Sequence, residues 1–194
     1  MLYFNPLWRE LFWISVAASA LLEIWIFSRD LRAASGQKQD RGSVFVVIFS
    51  IWLAIWTFFY LPIYFRFARI YPLSLALFAC GIAMIWAGMA LRLWSVLTLG
   101  RFFRTSVFML SDHALVTAGP YRLLRHPSYS GGLMTIAGFG VARENWFCAL
   151  LGIAIASAGF AYRIRVEEKA LSAHFGAAFT AQREKSWGLV PFVW

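Results

Sequence analysis

The sequence predicts an all-α, polytopic membrane helical protein with about five transmembrane helices, the last two forming a helical hairpin. Three observations carry that prediction. Of 194 residues, 61% are hydrophobic and 14% charged, where a soluble domain carries about 25% charged residues. Mean hydropathy is +0.66. The apolar residues also fall into long runs nearly free of charge, and the dense polar sequence is confined to two segments, 100–130 and 160–185.

Each span follows from length. Crossing a hydrocarbon core about 30 Å thick takes about 20 apolar residues in a helix. Leu11–Ser28 is the first such run, interrupted only by Glu23. Val44–Phe65 is the second and carries no charge, with Pro62 placed to kink its far end. Ile70–Leu91 is the third, continuing past Arg92 to about Leu99. Pro127–Ala142 and Trp146–Tyr162 are shorter, and only Arg143-Glu144-Asn145 separates them, which suits an antiparallel pair joined by a tight turn. The connection at 35–43 reads as ordinary polar sequence, and the opening Met1-Leu2-Tyr3-Phe4-Asn5-Pro6 has no basic stretch or cleavage site, so no removable signal peptide is expected.

Charge sets the orientation. With five spans, thirteen Lys and Arg residues fall on the side holding the 29–41 loop, the 100–126 loop and the C-terminal region; four fall on the other. The positive-inside rule then places the N-terminus outside and the C-terminus in the cytoplasm. The net charge of +9 flanks apolar spans instead of forming a soluble basic face, so membrane lipid headgroups are the expected partner and nucleic acid is not. Cys80 and Cys148 lie in apolar runs and form no paired motif; they read as packing residues, and no metal site is expected. The glycines of the spans read as close helix contacts, with Gly131 and Gly132 also placed to let a ligand approach the backbone.

The loop 100–126 is too long to be a plain connection and holds aromatics, an apolar cluster and a polar set ending in Arg125-His126-Pro127-Ser128-Tyr129. Pro127 suits the first turn of the fourth helix, which places His126 at its start beside unpaired backbone N–H groups. In the second segment Arg163 and Glu167 stand four apart and share a helix face, while Arg165 and Glu168 are spaced to pair on another. Ser172–Arg183 reads as an interfacial amphipathic helix, with His174 a solvated residue on it. Structural readings stand beside these: lipid phosphates for Arg122 and Arg125, helix-end ion pairs for the 163–169 cluster. Arg92 either snorkels or points inward, and Glu23 needs a partner such as Arg92, a proton, or contact with an acceptor headgroup.

The run Leu115-Val116-Thr117-x-Gly119-Pro120-Tyr121-Arg122-x-x-Arg125-His126-Pro127-x-Tyr129, followed by Arg163-x-x-x-Glu167-Glu168 and Phe175-Gly176, resembles the isoprenylcysteine carboxyl methyltransferase family. The resemblance covers residues 95–192. It departs from the family where Phe179 and Gln182 stand in place of tyrosines, at positions expected to pack a C-terminal lid. It implies a membrane-embedded enzyme using S-adenosylmethionine and releasing S-adenosylhomocysteine. By matching position it implies cofactor contacts at His113, Leu115, Val116, Tyr121, His126, Pro127, Ser128, Tyr129 and Glu167, with Arg163 and Glu167 as the catalytic pair. Residues 1–99 are then three N-terminal spans, and residues 100–194 a catalytic region integrated with them, its cofactor-binding side cytoplasmic.

The residue chemistry suits that reading. An ionised carboxylate needs no general base to accept a methyl group; it needs alignment and loss of water. A guanidinium can hold it by two oxygens. The acceptor implied is a lipidated, prenylcysteine-like carboxylate. Methylation of a phospholipid or other lipid amine, or a non-catalytic anionic-lipid-binding scaffold, remain alternatives on the sequence alone.

Overall fold

The computed structural model describes residues 5–31, 37–38, 42–70, 75–104, 108–109 and 115–191. Among the described residues six α-helices make the fold: α1 (Pro6–Leu31), α2 (Ser43–Tyr60), α3 (Leu75–Leu99), α4 (Pro127–Ala142), α5 (Trp146–Phe175) and α6 (Ala177–Lys185). One two-residue antiparallel pair, β1 (Gln37–Lys38) with β2 (Phe108–Met109), joins the connection after α1 to the loop after α3. Those two loops therefore lie at the same end of the bundle, as the charge count requires.

Helix ends obey local rules. The Asn5 side chain accepts from the Leu7 N–H just ahead of α1, with Pro6 at its first position. α3 stops at Gly100, whose φ of +53° is the left-handed stop. The α4–α5 hairpin is as tight as its three connecting residues suggest. Arg143 closes α4 through its N–H on the Phe139 and Val141 carbonyls, Glu144 takes φ +56°, and the Asn145 side chain accepts from the Cys148 N–H to start α5.

Four helical segments, Pro6–Arg29, Ser43–Ile63, Leu75–Phe102 and Trp146–Phe175, are each long and apolar enough to cross a membrane. α4 has 16 residues, about 24 Å at 1.5 Å per residue, so it falls short of spanning by length alone. It lies against α3 and α5. α5 runs unbroken to Phe175, so the expected interfacial helix at 172–183 begins instead after Gly176 (φ +54°), as α6. No breaker stands between Tyr162 and Phe175 to end the helix sooner.

Small residues set the helix contacts. A Cβ on Gly88 would sit 2.6 Å from the Gly131 carbonyl, and one on Gly131 would sit 2.6 Å from that of Gly88. Gly131 thus serves the α3–α4 contact and not the approach of a ligand; Gly132 faces the Phe160 ring. Between α2 and α5, Thr57 meets Gly152 and Ser50 meets Gly159. Large apolar side chains such as Leu21, Ile24, Phe45, Phe49 and Trp52 face outward, which suits a lipid surround.

Candidate active site

Two chain segments build the start of α4. Arg125 N–H donates to the Trp187 carbonyl at 2.7 Å and His126 N–H to that of Gly188 at 3.1 Å, while Trp187 N–H donates to Leu123. The Ser130 hydroxyl donates to the Leu189 carbonyl at 2.5 Å. The C-terminal segment therefore braces the Arg-His-Pro turn from behind. Sequence reading gave no hint of this, because backbone pairing of this kind leaves no residue signature.

Side chains lock the same turn to α5. Arg125 Nε donates to Glu168 Oε1 at 2.9 Å, and His126 Nε2 lies 3.2 Å from the same oxygen. A second Arg125 nitrogen donates to the Arg183 carbonyl at 3.2 Å and to that of Ser186. Glu168 was expected to pair with Arg165 along its own helix. Instead it turns inward to Arg125 and His126, a contact made across 42 or more positions and invisible to helix spacing.

The Tyr129 hydroxyl joins the expected catalytic pair. Arg163 Nε donates to it at 3.1 Å, and it donates to Glu167 Oε2 at 2.8 Å. Tyr129 is stacked between His126 and Phe160, with centroids 5.8 and 5.4 Å away, so its hydroxyl has one place to go. Arg163 is 2% exposed, and its Nη1 donates to Ser43 Oγ at 2.5 Å. On the opposite wall Arg92 holds Glu23 through two bonds, of 2.5 and 2.7 Å, and donates to the Ser128 hydroxyl at 3.0 Å. Of the readings open for Glu23, the partner is the one found, and Arg92 points inward. Tyr121 sits buried in the 3-10 turn Gly119–Arg122. Burial pushes its phenol well above the usual range, and the Glu167 charge adds to that, so it stays a neutral hydrogen-bonding group.

These groups wall one cavity of about 320 Å³. Leu115, Val116, Tyr121, His126, Ser128, Tyr129, Arg163 and Glu167, each expected from sequence, line it. Pro127 does not; it is buried in the first turn of α4. His113 lies outside the described residues. Phe179 and Gln182, from α6 and expected to pack a C-terminal lid, line the cavity too.

The apolar side of the cavity was not foreseen. It comes from α1 (Ile26, Phe27) and α2 (Val44, Val47, Ile48, Ile51). The α2 set stands at i, i+3, i+4 and i+7, which is one helix face. Charge patterning could not reveal it, because α2 carries no charged residue and its hydroxyls, Ser43, Ser50 and Thr57, form a stripe of their own. The cavity thus has a polar end made of arginines, carboxylates and aromatic hydroxyls, and a greasy wall of two helices.

Residues 81–173 match the isoprenylcysteine carboxyl methyltransferase (ICMT) family. Protein-S-isoprenylcysteine O-methyltransferase B of Arabidopsis thaliana is 36% identical over 58% of this chain and 58% of its own length. The Saccharomyces cerevisiae protein-S-isoprenylcysteine O-methyltransferase is 32% identical over 64% of this chain and 54% of its own. The chain thus spans under two thirds of the length of these relatives. A solved structure of a eukaryotic intramembrane Ras methyltransferase, the isoprenylcysteine carboxyl methyltransferase, superposes with a TM-score of 0.61 at 28% identity, covering 76% of this chain and 52% of that one. In sequence over residues 81–173, and in fold over 76% of its length, the chain is similar to the isoprenylcysteine carboxyl methyltransferase family.

Proposed function

We propose that this chain is a membrane-embedded methyltransferase that moves a methyl group from S-adenosylmethionine to the carboxylate of a lipidated, prenylcysteine-like acceptor, forming a methyl ester. The observation that carries the reading is the division of the cavity. Arg163, Tyr129 and Glu167 form its polar end, and α1 and α2 give it an apolar wall. A charged headgroup and a hydrocarbon tail are accommodated side by side. The names of the relatives, protein-S-isoprenylcysteine O-methyltransferases, point to the same acceptor class.

The residues present suit the cofactor. A cavity of about 320 Å³ lies within the roughly 300–1,000 Å³ of small-molecule sites. Tyr121, His126 and Tyr129 offer flat or hydrogen-bonding faces for a base and sugar, Leu115 and Val116 an apolar edge, and Glu167 an acceptor for an amino or hydroxyl group. When bound, S-adenosylmethionine supplies a methyl on a sulfonium. Everything else is the chain's work. Arg163 holds the acceptor carboxylate and aims one oxygen; Tyr129, itself bonded to Glu167, holds Arg163. The apolar wall strips water from the nucleophile and lets a lipid tail reach the site from the bilayer. No residue need remove a proton. Held by Tyr121, His126, Tyr129 and Glu167, the cofactor would supply the methyl group to that oxygen and would leave as the neutral thioether.

By charge, this face is cytoplasmic and the N-terminus lies outside. The test is labelled methyl transfer from S-adenosylmethionine to a panel of prenylcysteines, fatty acids and amino lipids, with base-lability of the product scored. A base-labile product from prenylcysteine is expected. A base-stable product from an amino lipid would move the chain to N-methylation. Absence of any cofactor binding, with biological activity surviving Arg163→Ala, would make it a lipid-binding scaffold.

A further inference from the structure

We propose that Ser43, the first residue of α2, is a positioning residue for Arg163, so that a helix outside the family-matched segment 81–173 completes the site. The inference rests on the methyl-transfer reading above. Ser43 is fully buried, and its Oγ accepts from Arg163 Nη1 at 2.5 Å. Arg163 Nε meanwhile donates to the Tyr129 hydroxyl on α4. Two bonds, at different nitrogens and from different helices, fix its plane, and the plane decides where a held carboxylate points.

The contact is not what packing alone would produce. Ser43, Ser50 and Thr57 stand seven apart along α2, opposite Arg163, Gly159 and Gly152 of α5. Ser50 and Thr57 turn their hydroxyls back to their own helix, onto the Val47 carbonyl at 2.9 Å and the Ala54 carbonyl at 2.7 Å. One heptad earlier on the same stripe, the Ser43 oxygen accepts from Arg163. Helix polarity also argues against a purely stabilising role. A cation is favoured at a helix C-terminus and disfavoured at the N-terminus where Ser43 lies. Gly42, at φ +78° with open space where a Cβ would be, makes the turn that delivers Ser43. Pairing of β1 with β2 ties the preceding connection to the same end of the bundle.

The experiment uses the full chain in lipid nanodiscs, with an N-acetylated prenylcysteine as acceptor. S-adenosylhomocysteine binding is measured separately. Ser43→Ala should lower kcat about tenfold or more while the S-adenosylhomocysteine Kd stays within about threefold, because the lost bond orients the acceptor group and not the cofactor. Ser43→Thr, which keeps the oxygen, should recover most of the loss. Ser50→Ala removes the next hydroxyl on the same stripe without touching Arg163, and should leave kcat within about threefold of wild type. Should Ser43→Ala fail to melt cooperatively, Ser43→Cys keeps the volume, weakens the acceptor, and carries the same expectation at a smaller fall. Equal losses in Ser43→Ala and Ser50→Ala, or wild-type kinetics in Ser43→Ala, would overturn the proposal while leaving the methyl-transfer reading intact. A wild-type chain that leaves the prenylcysteine unmethylated would overturn both.

Discussion

Arg163 and His126 sit within one polar array but hold different neighbours. Arg163 reaches Tyr129 and Ser43, which support the group that would aim an acceptor. His126 reaches Glu168 and stacks on Tyr129, which shapes the turn where a cofactor would rest. Arg163→Ala is therefore expected to lower kcat by about a hundredfold or more, since misplacing a reacting group by an ångström can cost that much. Its S-adenosylhomocysteine affinity should fall by less than about fivefold, whereas His126→Ala should weaken that affinity about tenfold. Isothermal titration beside single-turnover kinetics separates the two; equal loss of binding in both variants would contradict the division. At this scale much of the site was legible. The Arg-His-Pro-x-Tyr run and the four-residue step from Arg163 to Glu167 are local patterns. The Glu168 contacts with Arg125 and His126, and the Tyr129 bridge, join residues 34 or more positions apart and could not be read from spacing.

Among the helices, α3 and α4 approach through glycine, backbone against backbone. A methyl at Gly88 would lie 2.5 Å from Thr135 Oγ1 and 2.6 Å from the Gly131 carbonyl, a backbone atom that cannot turn aside. Gly88→Ala should destabilise the fold by about 1–3 kcal/mol, read as a lower melting temperature in detergent. The hairpin between α4 and α5 offers the opposite change. Glu144 holds φ +56°, where a side chain costs about 1–2 kcal/mol that glycine avoids, at a smaller entropic cost. Burial also raises its carboxyl above the usual range, outweighing the opposing pull of nearby positive charge including Arg69. A carboxyl raised by folding contributes stability below its unfolded pKa that is lost as pH climbs through the folded value. Glu144→Gly should therefore stabilise the chain by about 0.5–1 kcal/mol at neutral pH, with the gain shrinking in acid. A melting series from pH 4 to pH 8 would show it; a gain that grows in acid would be the wrong sign. The long apolar helices and the hairpin were legible because runs and breakers are local. The break at Gly176 was misplaced because helix length past the membrane depends on what the helix leans against.

Across the whole molecule, the site is assembled from both ends of the chain. α1 contributes Glu23, α2 contributes Ser43 and an apolar stripe, and residues 187–189 brace the Arg-His-Pro turn. Truncation after Lys185 should weaken S-adenosylhomocysteine binding by about tenfold or more, since it removes the acceptors for the Arg125 and His126 N–H groups and for Ser130. Retained affinity in that truncated chain, by the same titration, would mean the turn holds its shape unaided. By itself the sequence determined that the chain is built of long apolar helices suited to a membrane, that its basic residues gather outside most of their length, and that its polar motifs fall in two segments. All of these follow from composition, run length and short-range spacing. Only the tertiary structure decided which carboxylate meets which arginine, and that α1 and α2 form part of the site. The reason is physical: where a helix is apolar on most of its surface, residue pattern does not say which apolar side faces a cavity and which faces lipid, and its packing partners choose.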